Sequence, residues 1–256
     1  MTSPFDLTGK IILVTGSSRG IGLGIATGLA EAGATLVLNG TDSVRLEATR
    51  ASLAQRFGED RVAARAFDIL DEDAVASALA SVTSDVGPLD VLVNNAGVQH
   101  REPLVEVSRE DWQRVVDTNL TGSFVVGRHV ARQMLPRRSG KIINICSVQT
   151  DLARPTIGPY TAAKGALRNL TRAMTAEWAG EGLQINGIAP GYIHTEMTQN
   201  LVDDEEFNSW ILSRTPARRW GTVADVVGPA VWLASSASDY VNGQVVFVDG
   251  GMTAVV

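Results

Sequence analysis

Lys10-Ile-Ile-Leu-Val-Thr15-Gly16-Ser-Ser18-Arg19-Gly20-Ile21-Gly22 begins as an apolar run of strand length and ends in three glycines with the spacing Gly16-x3-Gly20-x-Gly22. A strand that passes into a helix through glycines lets a phosphate reach backbone N–H groups and the positive end of the helix dipole. The stretch therefore predicts a strand, a nucleotide-binding turn and a helix. The spacing departs from the G-x-G-x-x-G fingerprint and lacks the Lys-Ser/Thr ending of a nucleotide-hydrolysing phosphate loop. The same letters, Gly16-x-Ser18-x-Gly20, also fit the nucleophile elbow of an α/β-hydrolase. That elbow belongs after several strands, whereas Ser18 follows the first, and of His100, His129 and His194 only His194 comes late enough for the triad order.

Further short apolar runs at residues 35–38, 61–67, 89–93, 141–145, 184–189 and 244–248 alternate with longer amphipathic stretches. Seven β-branched, nearly continuous apolar runs separated by helices predict an α/β fold: a doubly wound, seven-stranded parallel sheet, Rossmann-like, in a single domain over residues 1–256. No linker, low-complexity tract or fixed repeat interrupts it. Ser108-Arg-Glu-Asp111 and Thr222-Val-Ala-Asp225 read as capping boxes, and Gly33 as a helix-ending glycine. Residues 192–216 form the least regular segment, long and polar with Trp210 inside it, and are expected to be a substrate loop or lid. In a parallel sheet the C-terminal strand ends share one edge, where ligands bind. The glycine loop, Asn39-Gly-Thr41, Asp68, Asn94-Asn-Ala-Gly97, Ser147 and Pro190-Gly191 all fall on that edge.

Tyr160 lies thirteen residues after Ser147 and four before Lys164. Residues four apart share a helix face, so the lysine ammonium can sit beside the phenol. A cation at about 4 Å favours the phenolate by roughly 4 kcal/mol at an effective dielectric near 20. From a free tyrosine pKa of about 10, that predicts a depression of up to about three units and a phenol able to shuttle protons near neutrality.

The balance of 22 Lys and Arg against 28 Asp and Glu gives a net charge of -6. Without a clustered basic face, this excludes nucleic acid as a partner. Cys146, the only cysteine, lies in an apolar run and reads as a buried, inert thiol suited to a reducing compartment. Residues 1–8 lack the pattern of a signal peptide and no apolar run reaches bilayer length, so a soluble, cytoplasmic protein without a membrane partner is expected. No metal ligands are assigned.

These residues together resemble the short-chain dehydrogenase/reductase family over essentially the whole chain. Thr15-Gly16-x3-Gly20-x-Gly22 is similar to its cofactor loop, Asn94-Asn95-Ala96-Gly97 to its sheet-edge motif and Tyr160-x3-Lys164 to its active-site helix, with Asn119 and Ser147 at its other two catalytic positions. The resemblance implies that Tyr160 is the general acid/base, that Ser147 holds the substrate oxygen, and that Lys164 tunes the tyrosine and grips the nicotinamide ribose. It implies that Asn119 anchors a proton-relay water. By the same resemblance Gly16, Ser18, Arg19, Gly20, Ile21, Gly22, Thr41, Asp68, Asn95, Ala96, Gly97, Tyr160, Lys164, Pro190, Gly191 and Ile193 bind the cofactor, with Asp68 at the adenine.

The family's NAD-selecting acid lies seven residues beyond Gly33, where this chain has Gly40 followed by Thr41, and Arg19 matches a basic position of NADP-preferring members. NADP(H) is thus expected over NAD(H), with Asp42 close by. The variable stretches Asn95-Ala-Gly-Val-Gln-His-Arg101, Ala153-Arg-Pro-Thr-Ile-Gly-Pro-Tyr160, Ser209-Trp-Ile-Leu-Ser-Arg-Thr-Pro216 and Arg219-Trp-Gly221 resemble the family's sugar-acid branch. The resemblance implies interconversion of D-gluconate and 5-dehydro-D-gluconate. A polyhydroxy carboxylate needs a cation and hydrogen-bonding groups, for which His100, Arg101, Gln149 and Arg154 are the candidates. A 3-oxoacyl carrier-protein reductase, another sugar-acid or steroid reductase, and a non-catalytic cofactor-binding protein are the alternatives. A homotetramer built on helices near 108–134 and 160–181 is also implied, with Ala254-Val255-Val256 at a further interface.

Overall fold

A computed structural model describes residues 3–255. Met1, Thr2 and Val256 lie outside the described residues, and with them the start of the 1–8 segment and the end of the apolar tail. Strands β1 (Ile11–Val14), β2 (Thr35–Gly40), β3 (Val62–Ala66), β4 (Val91–Asn94), β5 (Gly140–Ile145), β6 (Leu183–Pro190) and β7 (Val245–Val248) form at all seven expected places. Between them lie α1 (Gly20–Glu31), α2 (Ser43–Phe57), α3 (Glu72–Asp85), α4 (Arg109–Val116), α5 (Gly122–Met134), α6 (Gly158–Trp178), α7 (Gln199–Val202), α8 (Glu205–Arg214) and α9 (Val223–Ala234). The sheet order is β3-β2-β1-β4-β5-β6-β7, every pair parallel.

Successive strand residues point to opposite faces, and here both faces are covered. Ile12, Val14, Val91, Val93, Ile143 and Ile145 enter one layer with Ile25 and Leu29 of α1 and Val226 and Leu233 of α9. Leu13, Leu92 and Ile142 enter the other, with Val75 and Leu79 of α3 and Val126 and Val130 of α5. Double coverage is why the strands read as unbroken apolar runs instead of alternating ones. Helices α1 and α9 cross so closely that a Cβ on Gly24 or Gly28 would overlap the side chains of Val223 and Val227. The chain leaves β1 toward β2 and returns to place β4 on the other side, so the strand order reverses between β1 and β4, the place where doubly wound sheets take ligands.

Of the two expected capping boxes, the one at α9 forms fully and the one at α4 by half, because the Asp111 carboxylate takes the Ser108 hydroxyl in place of its backbone N–H. Ser108 Oγ accepts from Asp111 N at 3.0 Å, and at α9 Thr222 and Asp225 bond reciprocally. Gly33 follows α1 with φ +108°. Segment 192–216 departs from the expected irregularity: it holds α7 and α8, the latter capped by Asp204, which accepts from Phe207 N at 3.0 Å. Asp225 also takes both Arg219 Nη atoms at 2.7 Å, and these bonds hold its carboxyl well below the usual carboxylate range. Asp225→Ala is expected to cost about 1 kcal/mol, read as a Tm lower by about 2–4 °C in calorimetry. Because the folded pKa is depressed, that contribution is complete above the unfolded carboxylate pKa of about 4 and disappears as the pH falls toward the folded value. No helix among the described residues is long and apolar enough to cross a membrane.

Candidate active site

The C-terminal ends of the strands open into a cleft of about 520 Å³. Its cofactor wall is the turn between β1 and α1. Gly16 and Gly20 sit at φ +62° and +56°, where side chains are disfavoured, and a Cβ on Gly16 would lie 2.9 Å from Ala96 Cα. The turn is set in a frame of strand-end side chains. Asn95 Nδ2 donates to the carbonyls of Thr15 (2.9 Å) and Gly16 (3.1 Å), Thr15 Oγ1 accepts from Asn95 N and Ala96 N, and Asn39 Oδ1 accepts from Gly16 N. Helix α1 has no capping side chain and no acid in its first turn, so its leading N–H groups remain for an anionic ligand. A Cβ on Gly20 would meet nothing within 4 Å. An open cradle of free N–H groups at a helix N-terminus fits the pyrophosphate of a nicotinamide dinucleotide.

At the end of β2, Gly40 leaves room over Ser18, and Asp42 is spent on α2: its Oδ1 accepts from Arg45 N at 3.0 Å, and its carboxylate lies 3.8 Å from Arg45 Nε. Arg19 and Arg45 both line this end of the cleft. Arg19 also reaches to 4.0 Å from Glu196, an exposed and solvent-screened pair. Asp68 lines the cleft and caps its own turn, accepting from Leu70 N at 2.9 Å.

The four tetrad positions converge on the same space. A single π turn, Asp117–Thr121, joins α4 to α5 and carries Asn119. Asn119 Nδ2 donates to the carbonyls of Val98 and Val115, both at 2.8 Å, which fixes the amide and leaves Oδ1 buried without a protein partner. Ser147 follows β5 and its Oγ accepts from Gln149 N at 3.2 Å, so its O–H is free to donate into the cleft. Tyr160 and Lys164 rise from α6 on one face, the Lys164 ammonium 5.5 Å from the phenol ring centroid and donating to the Ile145 carbonyl at 2.6 Å. Buried Asn94 and Asn144 brace this group: Asn94 Nδ2 donates to Asn144 Oδ1 at 2.9 Å, and Asn144 Nδ2 to Thr171 Oγ1 of α6 at 2.9 Å. A fully satisfied buried network of this kind holds helices in one position.

The expected depression of the Tyr160 pKa is not what this arrangement produces. Burial pushes the phenol up, while hydrogen bonding from Ser147 and Gln99 pulls it partly back. The ammonium lies against the ring face and engages a carbonyl rather than the phenol oxygen, and burial brings Lys164 itself down to about 8. Cys146 matches its reading as an inert thiol, buried and pushed up by that burial to about 11.

Arg101, Arg154, Gln149, Gln99 and Tyr192 line the same cleft. Burial and the Arg154 cation hold the Arg101 guanidinium below its ordinary value, although its residue reaches solvent at the mouth. Burial raises the Tyr192 phenol against the pull of both arginines. Arg154 lies 5.1 Å over the Phe207 ring, its Nε buried without a partner. Rings of Phe207, Trp210 and Trp220 stand edge-on to Tyr192 with centroids 5.6, 6.1 and 5.8 Å away, tying α8 to the end of β6. His100 is separated from this group: it does not line the cleft, and its Nε2 pairs with Glu102 at 2.9 Å while Nδ1 faces Asp111 at 3.5 Å. The other candidates from the sequence all line the cleft. Gln99, Tyr192 and Arg45 are added by the structure. His194 bonds Gln199, and among the described residues no histidine hydrogen-bonds Ser18, so the hydrolase elbow has no base.

A dinucleotide cradle at the switch point, facing a Tyr-Lys-Ser-Asn group on one sheet edge, defines a nicotinamide-dependent oxidoreductase. The family model described as enoyl-(acyl carrier protein) reductase matches residues 16–253, and the chain belongs to the short-chain dehydrogenase/reductase family. It is 54% identical to gluconate 5-dehydrogenase of Gluconobacter oxydans (strain 621H) over 97% of this chain and 96% of that protein. It is 48% identical to 5-keto-D-gluconate 5-reductase of Escherichia coli (strain K12) over 100% of both. A crystal structure of a gluconate 5-dehydrogenase from Burkholderia cenocepacia J2315 in complex with NADP and tartrate superposes with a TM-score of 0.92 at 51% identity, covering 99% of this chain and 98% of that one.

Proposed function

We propose that this protein interconverts D-gluconate and 5-dehydro-D-gluconate with NADP(H) as cofactor. The observation that carries the reading is the pair Arg101 and Arg154: two neighbouring guanidinium groups in the cleft that holds Tyr160, with no carboxylate partner for either among the described residues. Two unmatched cations call for an anionic ligand. The names of the relatives supply the sugar acid, and the absence of a carboxylate at Gly40 together with Arg19 and Arg45 supports a 2′-phosphate.

When bound, NADP(H) supplies or accepts the hydride. During oxidation Tyr160 Oη takes the proton of the reacting hydroxyl, and during reduction it returns one. Ser147, locked as an acceptor toward Gln149 N, donates its own proton to the same substrate oxygen and steadies the developing charge. Lys164 keeps N–H groups for the nicotinamide ribose, and the unpartnered Asn119 Oδ1 is the acceptor that holds a relay water. Gly16, Ser18, Gly20, Ile21 and Gly22 bind the pyrophosphate side, and Asn95, Ala96, Gly97, Pro190, Gly191 and Ile193 frame the nicotinamide side. The reading includes a cytoplasmic homotetramer, supported by the half-exposed Trp112 and Phe124 on the α4–α5 helix pair.

The test is a panel of sugar acids and simple alcohols scored by NADPH absorbance. D-gluconate is expected to be preferred, and a preference for an uncharged alcohol would sink the proposal. Arg101→Ala and Arg154→Ala are each expected to raise KM for gluconate by about 10- to 100-fold, the worth of one hydrogen bond to a charged group. KM for NADP should stay put in both.

A further inference from the structure

Several buried polar atoms in the cleft have no partner among the described residues, and three of them are amide oxygens: Oδ1 of Asn119, assigned above to the relay water, and Oε1 of Gln99 and of Gln149. A buried acceptor left unpaired is costly, so these atoms define what the ligand must bring. A carboxylate would be repelled by a carbonyl oxygen, whereas a hydroxyl donates to it. The cleft thus offers arginines to an acid group and glutamine oxygens to hydroxyls.

Gln99 holds the more informative place. It lies two residues beyond Gly97 in the loop that follows β4, and in the cleft it stands beside the Tyr160 phenol. A carboxamide carries donor and acceptor on one carbon. With its NH2 toward the phenol oxygen, its free oxygen can reach only substrate atoms close to the oxygen that Tyr160 engages. A hydroxyl on the adjacent carbon satisfies that distance and that polarity.

We infer that Gln99 is a positioning and specificity residue, its NH2 group donating to the Tyr160 oxygen and its Oε1 accepting from the substrate hydroxyl next to the reacting carbon. The enzyme therefore demands a vicinal diol and not merely an oxidisable alcohol on an acid. This deepens the sugar-acid reading and rests on it: for oxidation at C5 of gluconate the gripped hydroxyl is O4 or O6. The same contact stabilises the phenolate, because a donor to the charged form favours it.

The experiment compares wild type, Gln99→Met and Gln99→Glu on D-gluconate, 4-deoxy-D-gluconate and 6-deoxy-D-gluconate, with NADPH binding followed by fluorescence as the check on folding. Wild type is expected to lose about 10- to 100-fold in kcat/KM on one of the two deoxy acids, because the analogue leaves a buried acceptor unpaired. Methionine matches glutamine in length but offers neither donor nor strong acceptor. Gln99→Met should be slower on gluconate by a similar factor, nearly indifferent to which deoxy acid it meets, and its alkaline-going pH profile of kcat/KM should move up by about half a unit to one unit. Gln99→Glu keeps the acceptor and replaces the donor by a charge, so it should retain the discrimination while its profile moves further up. A merely structural glutamine would lower all three substrates alike and leave the profile in place. Gln99→Met with wild-type discrimination and a wild-type profile overturns the inference. If wild type turns over another acid of the panel and not gluconate, the substrate reading fails by itself, and the same comparison on that acid and its deoxy analogues decides the role of Gln99.

Discussion

Tyr160→Phe should reduce kcat in both directions by about a thousandfold or more, within the range removed when a positioned general acid/base is lost. NADPH affinity, followed by fluorescence titration, should change by no more than about fivefold, since a single lost neutral hydrogen bond is worth only about 1 kcal/mol and the variant keeps the ring that packs against the Lys164 ammonium. Retention of wild-type turnover would remove the proposed chemistry. The direction of the pH dependence also follows. Oxidation needs the phenolate, which burial disfavours, so oxidative kcat/KM should climb as the pH rises through the phenol pKa, and the reductive direction should decline over the same range.

Gly40→Asp should reverse the cofactor preference. The aspartate Cβ has ordinary contact room, its nearest neighbour being Ser18 Oγ at 3.5 Å, so the strand end accepts it. A carboxylate about 5 Å from a phosphate charge opposes it by roughly 3 kcal/mol at an effective dielectric near 20. On that scale kcat/KM with NADP should fall about 100-fold. The same carboxylate accepts from a free 2′-hydroxyl, so NAD should improve. Kinetics with both cofactors read the ratio, and an unchanged ratio would mean that the adenosine ribose does not lie at the end of β2.

Much of this architecture is legible in the amino-acid order because burial on both sheet faces writes each strand as a continuous apolar word. Residues 10–14 and 141–145 foretell β1 and β5 to within a residue. The glycine turn is legible because positive φ at Gly16 and Gly20 leaves few other residue types possible. The 192–216 segment is misread because α8 turns a polar face to solvent and is held by its aromatic contacts to Tyr192, although Asp204-Glu-Glu206 is a helix start in plain view. The π turn at Asn119 escapes because one shifted hydrogen-bond register leaves the side-chain period intact on either side. Gln99 and Tyr192 escape for another reason: an unpaired buried atom is a property of tertiary structure. The Tyr160–Lys164 spacing gives the shared helix face but not the depth of burial, which sets the sign of the phenol's displacement.

The glycine seat on α1 also bears on how the chain is made. Gly24 and Gly28 are made about 200 residues ahead of Val223 and Val227, the valines that fill them. Until α9 has been made, the seat on α1 and the part of the sheet layer that α9 covers stay open to water and to other nascent chains. A polypeptide stopped short of residue 223 should aggregate instead of persisting as a smaller soluble enzyme.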